Sequence, residues 1–237
     1  MNASRHITTD RYRWFVSIVG ITIGLAAAPA GQAPATPPYQ EEEVTFTNGD
    51  VKLAGTLTVP AGKPHAAVIL LTGSGAQNRD EELLGFRPFR VIADHLATDG
   101  LAVLRYDDRG VGGSTGSVLA STTHDFARDA LAGIRLLKTR LGGSTPVGLL
   151  GHSEGALAAA IAAAETRDVA FVVWMAGPGE RGDAVLRRQA EDLSKAAGGS
   201  DATIAQILAA HRAMTDAIRA GADRPSIVNA MRVLVRA

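Results

Sequence analysis

From residue 44 onward the apolar positions change period in a regular order. In "VTFTNGDVKLAGTLTVP" (44–60) they alternate with polar ones around Asn48-Gly49, which predicts a β-hairpin whose turn needs positive φ. "AAVILLTG" (66–73) is apolar without a break and ends in glycine, the pattern of a strand covered on both faces. "FRVIADHLATDG" (89–100) returns to helical spacing and stops at Gly100. "LAVLRYD" (101–107) is again strand-like, and "DFARDALAGIRLLKTR" (125–140) lines up Phe126, Ala130, Ile134 and Leu137 on one helical face. Thr122 or Thr123 is placed to cap that helix, and Lys138 and Arg140 suit its C-terminal end. A strand at 147–150, a helix at 154–165 and a strand at 169–177 follow.

Strands alternating with helices of this length predict βαβ units, hence an α/β fold with a mostly parallel sheet and an N-terminal hairpin. After Gly179 the rhythm changes: "DAVLRRQAEDLSKAAG", "DATIAQILAAHRAMTDAIRAG" and "RPSIVNAMRVLVRA" carry helical patterning only. The organisation expected is a leader at 1–30, a linker at 31–42, an α/β core at 43–180 and a helical segment at 181–237.

The leader reading rests on Arg5, Arg11 and Arg13 ahead of the apolar run "WFVSIVGITIGLAAAPA" (14–30). Ala28-Pro29-Ala30 and Ala33-Pro34-Ala35 are candidate small-x-small cleavage sites. The run is at the short limit for a membrane span. We therefore expect a cleaved signal peptide, an exported (periplasmic or extracellular) protein, and no stable membrane insertion after cleavage. The linker "GQAPATPPYQ" is rich in Pro, Ala and Gln.

Composition narrows the chemistry. The 237 residues carry 24 basic and 24 acidic side chains, and no basic stripe points to nucleic acid. The chain has no cysteine, which excludes disulfides, a thiolate nucleophile and thiolate metal ligands. His65, His95 and His124 lack metal-ligand spacing. "RYDDRGVGGSTG" (105–116) is glycine-rich, but it lacks the Lys-Ser/Thr of a phosphate loop, and Thr115 stands where a dinucleotide fingerprint needs glycine. It reads as a structural loop, with Asp107 or Asp108 pairing Arg109. No cofactor and no metal are expected.

"VGLLGHSEGALAAA" (147–160) carries the chemistry. Gly151-His152-Ser153-Glu154-Gly155 lies between a strand and a helix, the arrangement of a nucleophile elbow. Side chains at Gly151 and Gly155 would collide with the converging strand and helix. The turn lifts the Ser153 hydroxyl above the sheet and sets the Glu154 N–H at the positive end of the helix. A second oxyanion donor is expected from "TGSGAQNRDEE" (72–82): the N–H of Ser74, with that of Gly75 as the alternative. The side chain of His152 is expected to turn away from Ser153.

"LLTGSGAQNRDE", "RYDDRGVGGSTG" and "GLLGHSEG", in that order, resemble the α/β-hydrolase superfamily, and within it the EstD-type bacterial esterases near dienelactone hydrolases and serine-aminopeptidase-like hydrolases. The resemblance covers 43 to about 237. It implies a Ser-His-Asp triad, small carboxylic ester substrates and a helical lid, which 181–237 would form. It also implies a triad acid and base at strand ends beyond the lid. Only His211 follows Ser153, inside a helical stretch where a strand-end loop would be needed, so it is a poor base. The expectation is a secreted serine esterase working through an acyl-enzyme, truncated here, with its last strands, Asp and His missing. The alternatives are a non-catalytic remnant that binds a ligand or partner, and an acyltransferase or peptidase on the same fold.

Overall fold

The computed structural model describes residues 37–236, with side chains to 230; the expected leader lies outside the described residues. Strands β1 (Tyr39–Asn48) and β2 (Val51–Pro60) form the hairpin. Asn48 pairs with Val51, so the turn residues are Gly49 and Asp50, one position later than the Asn-Gly pattern suggests. Positive φ falls on Gly49 alone of these two, the arrangement of a type II′ turn. β1 begins at Tyr39, so residues 39–42, assigned above to the linker, pair with 57–60 as strand. Glu41 and Glu42 bridge to Arg105 and Arg140 from this stretch, which gives its polar side chains partners in the core domain.

Then come β3 (Ala67–Leu71), α1 (Pro88–Thr98), β4 (Ala102–Tyr106), α2 (Thr123–Leu141), β5 (Val147–His152), α3 (Glu154–Glu165) and β6 (Val169–Met175). The sheet order is β1-β2-β4-β3-β5-β6, antiparallel through β2–β4 and parallel from β4 to β6. Pro88 opens α1, where its missing N–H costs nothing. At the start of α2 the Asp125 carboxylate accepts from both the N–H and the hydroxyl of the N-cap residue Thr122, each at 2.8 Å.

The strands are apolar on both sides because both faces are covered. Ala67, Ile69 and Leu71 of β3 pack with Ala130, Ile134 and Leu137 of α2 and Ala158 and Ala162 of α3. Val68 and Leu70, one residue out of phase, pack with Phe89 and Ala93 of α1 on the other face. The small residues of α3 let that helix approach the sheet closely.

β6 departs from this pattern. Its sequence is that of a doubly covered strand, yet Phe171, Val172, Val173 and Trp174 are 37–44% exposed. Among the described residues no strand pairs with its outer edge. Three helices complete the chain: α4 (Gly182–Ala196), α5 (Asp201–Arg219) and α6 (Arg224–Arg236). α5 buries Ile204, Ala210 and Met214 along one face. No helix of the described residues is long and apolar enough to cross a membrane.

Candidate active site

Ser153 sits between β5 and α3 with φ 51° and ψ −116°, a strained backbone for a residue with a Cβ. The strain is imposed by close packing. A Cβ on Gly151 would lie 2.2 Å from the Gly155 carbonyl oxygen, and one on Gly155 would lie 2.3 Å from the Leu71 carbonyl oxygen. The Ser153 N–H donates to the Met175 carbonyl (3.0 Å), which ties the turn to the end of β6. The Ser153 side chain makes no capping hydrogen bond to α3.

The loop after β3 lies against this turn. A Cβ on Gly73 would be 3.3 Å from that of Ser153. Ser74, His152, Ser153, Glu154 and Gln77 share one cavity of about 490 Å³, whose apolar lining comes from Leu157, Pro178, Val185 and Leu186. α4 supplies the last two, so the first helix after β6 roofs the site. Among the described residues the N–H groups of Ser74, Gly75 and Glu154 donate to nothing. Ser74 is among the residues that line the cavity, and Gly75 is not.

Three carboxylates that the sequence reading did not assign to this site fix the 72–81 loop. Asp108 accepts from the Thr72 hydroxyl (2.7 Å) and the Gln77 N–H (2.9 Å). Asp107 accepts from the Arg79 N–H (3.0 Å) and its guanidinium (2.8 Å), and Arg79 reaches on to Glu43 and Thr56. Oε1 of Glu81 accepts from the Gly73 N–H and meets Nδ1 of His152, each at 2.7 Å. The expected pairing of Arg109 with Asp107 or Asp108 does not form. Arg109 instead makes two hydrogen bonds to Asp129 of α2, at 2.7 and 2.8 Å. Both acids are already engaged, Asp107 by Arg79 and Asp108 by Thr72 and Gln77, while Arg109 lies in the turn that follows β4. The glycine-rich stretch meets the 72–81 loop through Asp107 and Asp108. A pair of acids directly after a buried strand was the available signal.

Burial pushes the Asp108 carboxyl up to about 6, against the opposing hydrogen bonds from Thr72 and Gln77. Burial also raises Asp107, but the Arg79 guanidinium and backbone N–H more than offset it and hold that carboxyl below its usual value. The raised Asp108 means that the folded chain holds a proton the unfolded chain releases between pH 4 and 6. Stability contributed by this group is full below pH 4 and falls as pH rises through 6, by about 3 kcal/mol in total. Urea unfolding of wild type and Asp108→Asn from pH 4 to 8 checks this. The wild type is expected to lose ground relative to the variant across pH 4–6, and a difference constant with pH would refute the shift.

The histidines divide clearly. His152 is among the residues that line the Ser153 cavity, and its Nδ1 is engaged by Glu81. With Glu81 ionised, Nδ1 is the donor of that bond. His211 lines a separate cavity in the helical segment with Asp183, Arg187 and Arg219, and its Nδ1 is buried without a partner. The structure does not bring it to Ser153.

Residues 63–214 match the family described as serine aminopeptidase, S33. The chain is 35% identical over 120 residues to esterase EstD of Thermotoga maritima, a stretch that is 50% of this chain and 28% of that protein. The chain thus spans under a third of that relative. The Pyrococcus furiosus esterase Pf2001 superposes with a TM-score of 0.54 at 23% identity, covering 74% of this chain and 66% of that one. The α/β-hydrolase GrgF from Penicillium superposes with a TM-score of 0.50 at 24% identity, over 66% of this chain and 53% of that one. At these identities the superpositions speak for the fold.

Proposed function

The chain belongs to the serine aminopeptidase S33 family of α/β-hydrolases, and on that premise we propose that its site performs acyl transfer from small carboxylic esters to water, with Ser153 as nucleophile. The observation that carries this reading is the cavity shared by a strained Ser153, whose side chain makes no capping bond, and by Ser74 and Glu154, whose N–H groups donate to nothing among the described residues. The Ser153 hydroxyl oxygen attacks the ester carbonyl carbon while a base takes its proton. The carbonyl oxygen becomes an oxyanion facing the Ser74 and Glu154 N–H groups. Collapse expels the alcohol, which receives the proton, and leaves an acyl-serine that water hydrolyses by the same steps.

Leu157, Pro178, Val185 and Leu186 suit an apolar acyl chain. An aminopeptidase needs a carboxylate to receive the substrate's α-ammonium. The two carboxylates of this cavity are both engaged: Glu81 as above, and Glu154 by the Thr123 hydroxyl at 2.7 Å. Each keeps its second oxygen without a partner among the described residues, so the choice of an ester rests on the esterase EstD, to which the chain is similar. We propose further that the base and its orienting acid come from outside the described residues. His152 is held by Glu81, His211 is elsewhere, and the uncovered β6 gives further chain an edge to pair with. Removal of residues 1–30 on export belongs to the same proposal, and the N-terminus of exported protein checks it by mass spectrometry.

Imidazole can stand in for a missing base in a cavity of this size. Hydrolysis of p-nitrophenyl butyrate by the 237-residue chain is expected to be near background alone. With imidazole it should saturate and rise about 10-fold or more above that of Ser153→Ala in the same buffer. His211→Ala should match wild type. Equal rates for wild type and Ser153→Ala would refute the nucleophile, and robust turnover without imidazole would refute the external base.

A further inference from the structure

Glu81 occupies a backbone conformation that a glutamate rarely adopts. Its φ is 51°, in the left-handed region. The cause is local: Oδ1 of Asn78 accepts from the N–H groups of Asp80 and Glu82 (3.1 and 3.2 Å), and the Glu81 N–H donates to the Asn78 carbonyl (2.9 Å). This tight turn carries the Glu81 carboxylate back toward the start of its own loop, where the side chain is 10% exposed.

There one oxygen atom serves two segments. Oε1 receives the Gly73 N–H from the loop after β3 and Nδ1 of His152 from the residue before Ser153. A Cβ on Gly73 would lie 3.1 Å from this oxygen, 3.2 Å from His152 Nδ1 and 3.3 Å from the Ser153 Cβ, so the three groups converge on one glycine. The Gly73 N–H is thereby spent on Glu81. The next amide in the chain, that of Ser74, donates to nothing among the described residues, and Ser74 lines the cavity.

We propose that Glu81 is the positioning residue of the oxyanion site, its Oε1 clamping Gly73 to His152 so that the Ser74 N–H stands at a fixed place relative to the Ser153 hydroxyl. The proposal rests on the reading of Ser153 and Ser74 given above. The physical argument is one of preorganisation. An oxyanion donor contributes only if it is already aimed where charge develops, and a misplacement of about 1 Å can cost on the order of 100-fold in rate. A glycine-bearing loop has the freedom to drift, and Glu81 removes that freedom at the residue before the donor. A device that acts on the transition state should alter kcat and spare KM.

The experiment compares wild type with Glu81→Gln, Glu81→Asp and Glu81→Ala in the imidazole-assisted hydrolysis of p-nitrophenyl butyrate. Amide exchange at Gly73 is followed by NMR in the same proteins. The neighbouring Glu82→Gln, whose ion pair with Arg87 is exposed, is the control. Gln keeps the length and an accepting oxygen. It should retain kcat within a few-fold and keep Gly73 protected. Asp falls one methylene short, and Ala removes the acceptor. Both should lower kcat about 10- to 100-fold with KM within about 3-fold, and both should expose the Gly73 amide. If Ala does not fold, the Gln and Asp pair decides. Gly73 exchange unchanged in Asp would overturn the clamp. Gly73 protection lost with kcat unchanged would overturn its positioning role, and so would Gln failing as badly as Asp. Should wild type show no Ser153-dependent hydrolysis, the ester reading fails, while Gly73 exchange still reports on the clamp.

Discussion

Gly151→Ala and Gly155→Ala are each expected to destabilise the chain by more than about 4 kcal/mol, enough to remove most soluble folded protein. The added methyl has no room. At Gly151 it would stand 2.2 Å from the Gly155 oxygen and 2.4 Å from the Ala156 nitrogen. At Gly155 it would stand 2.3 and 2.5 Å from the Leu71 and Thr72 carbonyl oxygens. All four are backbone atoms, and β3 and α3 are fixed by the packing of Leu71, Ala158 and Ala159 on the same core. Relief would require prising the helix from the sheet. Gly143→Ala is the control, since a Cβ there meets nothing within 4 Å, and it should change stability by about 0.5 kcal/mol at most. Urea unfolding of soluble protein decides: an alanine variant at 151 or 155 within about 1 kcal/mol of wild type would show that the elbow is looser than described.

Asp129→Ala is expected to cost about 3–5 kcal/mol, because it strands a largely buried guanidinium. Asp129 is 1% exposed and Arg109 12%. The carboxylate receives Nε and one terminal nitrogen of Arg109 and also Nδ2 of Asn48 at 2.7 Å, so it ties the glycine-rich loop, α2 and the hairpin turn together. The hydrogen bonds to Asp129 are the largest influence holding Arg109 protonated, ahead of the opposing effect of burial. After the substitution Arg109 keeps a weak set of partners: Ser121 and the Asp125 carbonyl at 3.4 Å, and the Asp125 carboxylate at 3.9 Å. Replacing both members, Arg109→Met with Asp129→Leu, removes the stranded charge and should recover much of the loss. The double-mutant cycle read by urea unfolding checks both statements. A cost below about 1 kcal/mol for Asp129→Ala would mean that the pair is solvated in solution.

The element order was legible in the sequence because the signals that encode it are local. A period of two or of 3.6, a run covered on both faces, a capping threonine and glycines flanking a serine act within a few residues. The expected hairpin, α2 with its Thr122 cap, and the turn at Ser153 all appear in the structure. The left-handed backbone of Ser153 follows from two glycines that permit strand and helix to touch, and that pattern can be read from five letters.

What the tertiary structure alone decided is which charged groups meet. His152 and Glu81 are 71 positions apart, and Thr72 and Asp108 are 36 apart. The chain offers 24 acids to 24 bases, and no local rule selects among them. Adjacency misleads: Arg109 bypasses Asp107 and Asp108 for Asp129, since those two acids are taken by Arg79, Thr72 and Gln77 of the 72–81 loop while α2 presents the Asp129 carboxylate across the glycine-rich loop. The sheet order likewise brings β3 between β4 and β5, and this sets the 72–81 loop beside both the paired acids and the serine turn. The sequence by itself therefore determined the strands, the helices and the candidate nucleophile through short-range sterics and periodicity. The meeting of Glu81 with Gly73 and His152, the exposed β6 and the separation of His211 from Ser153 depend on long-range packing, where contacts are chosen by which elements the fold brings together.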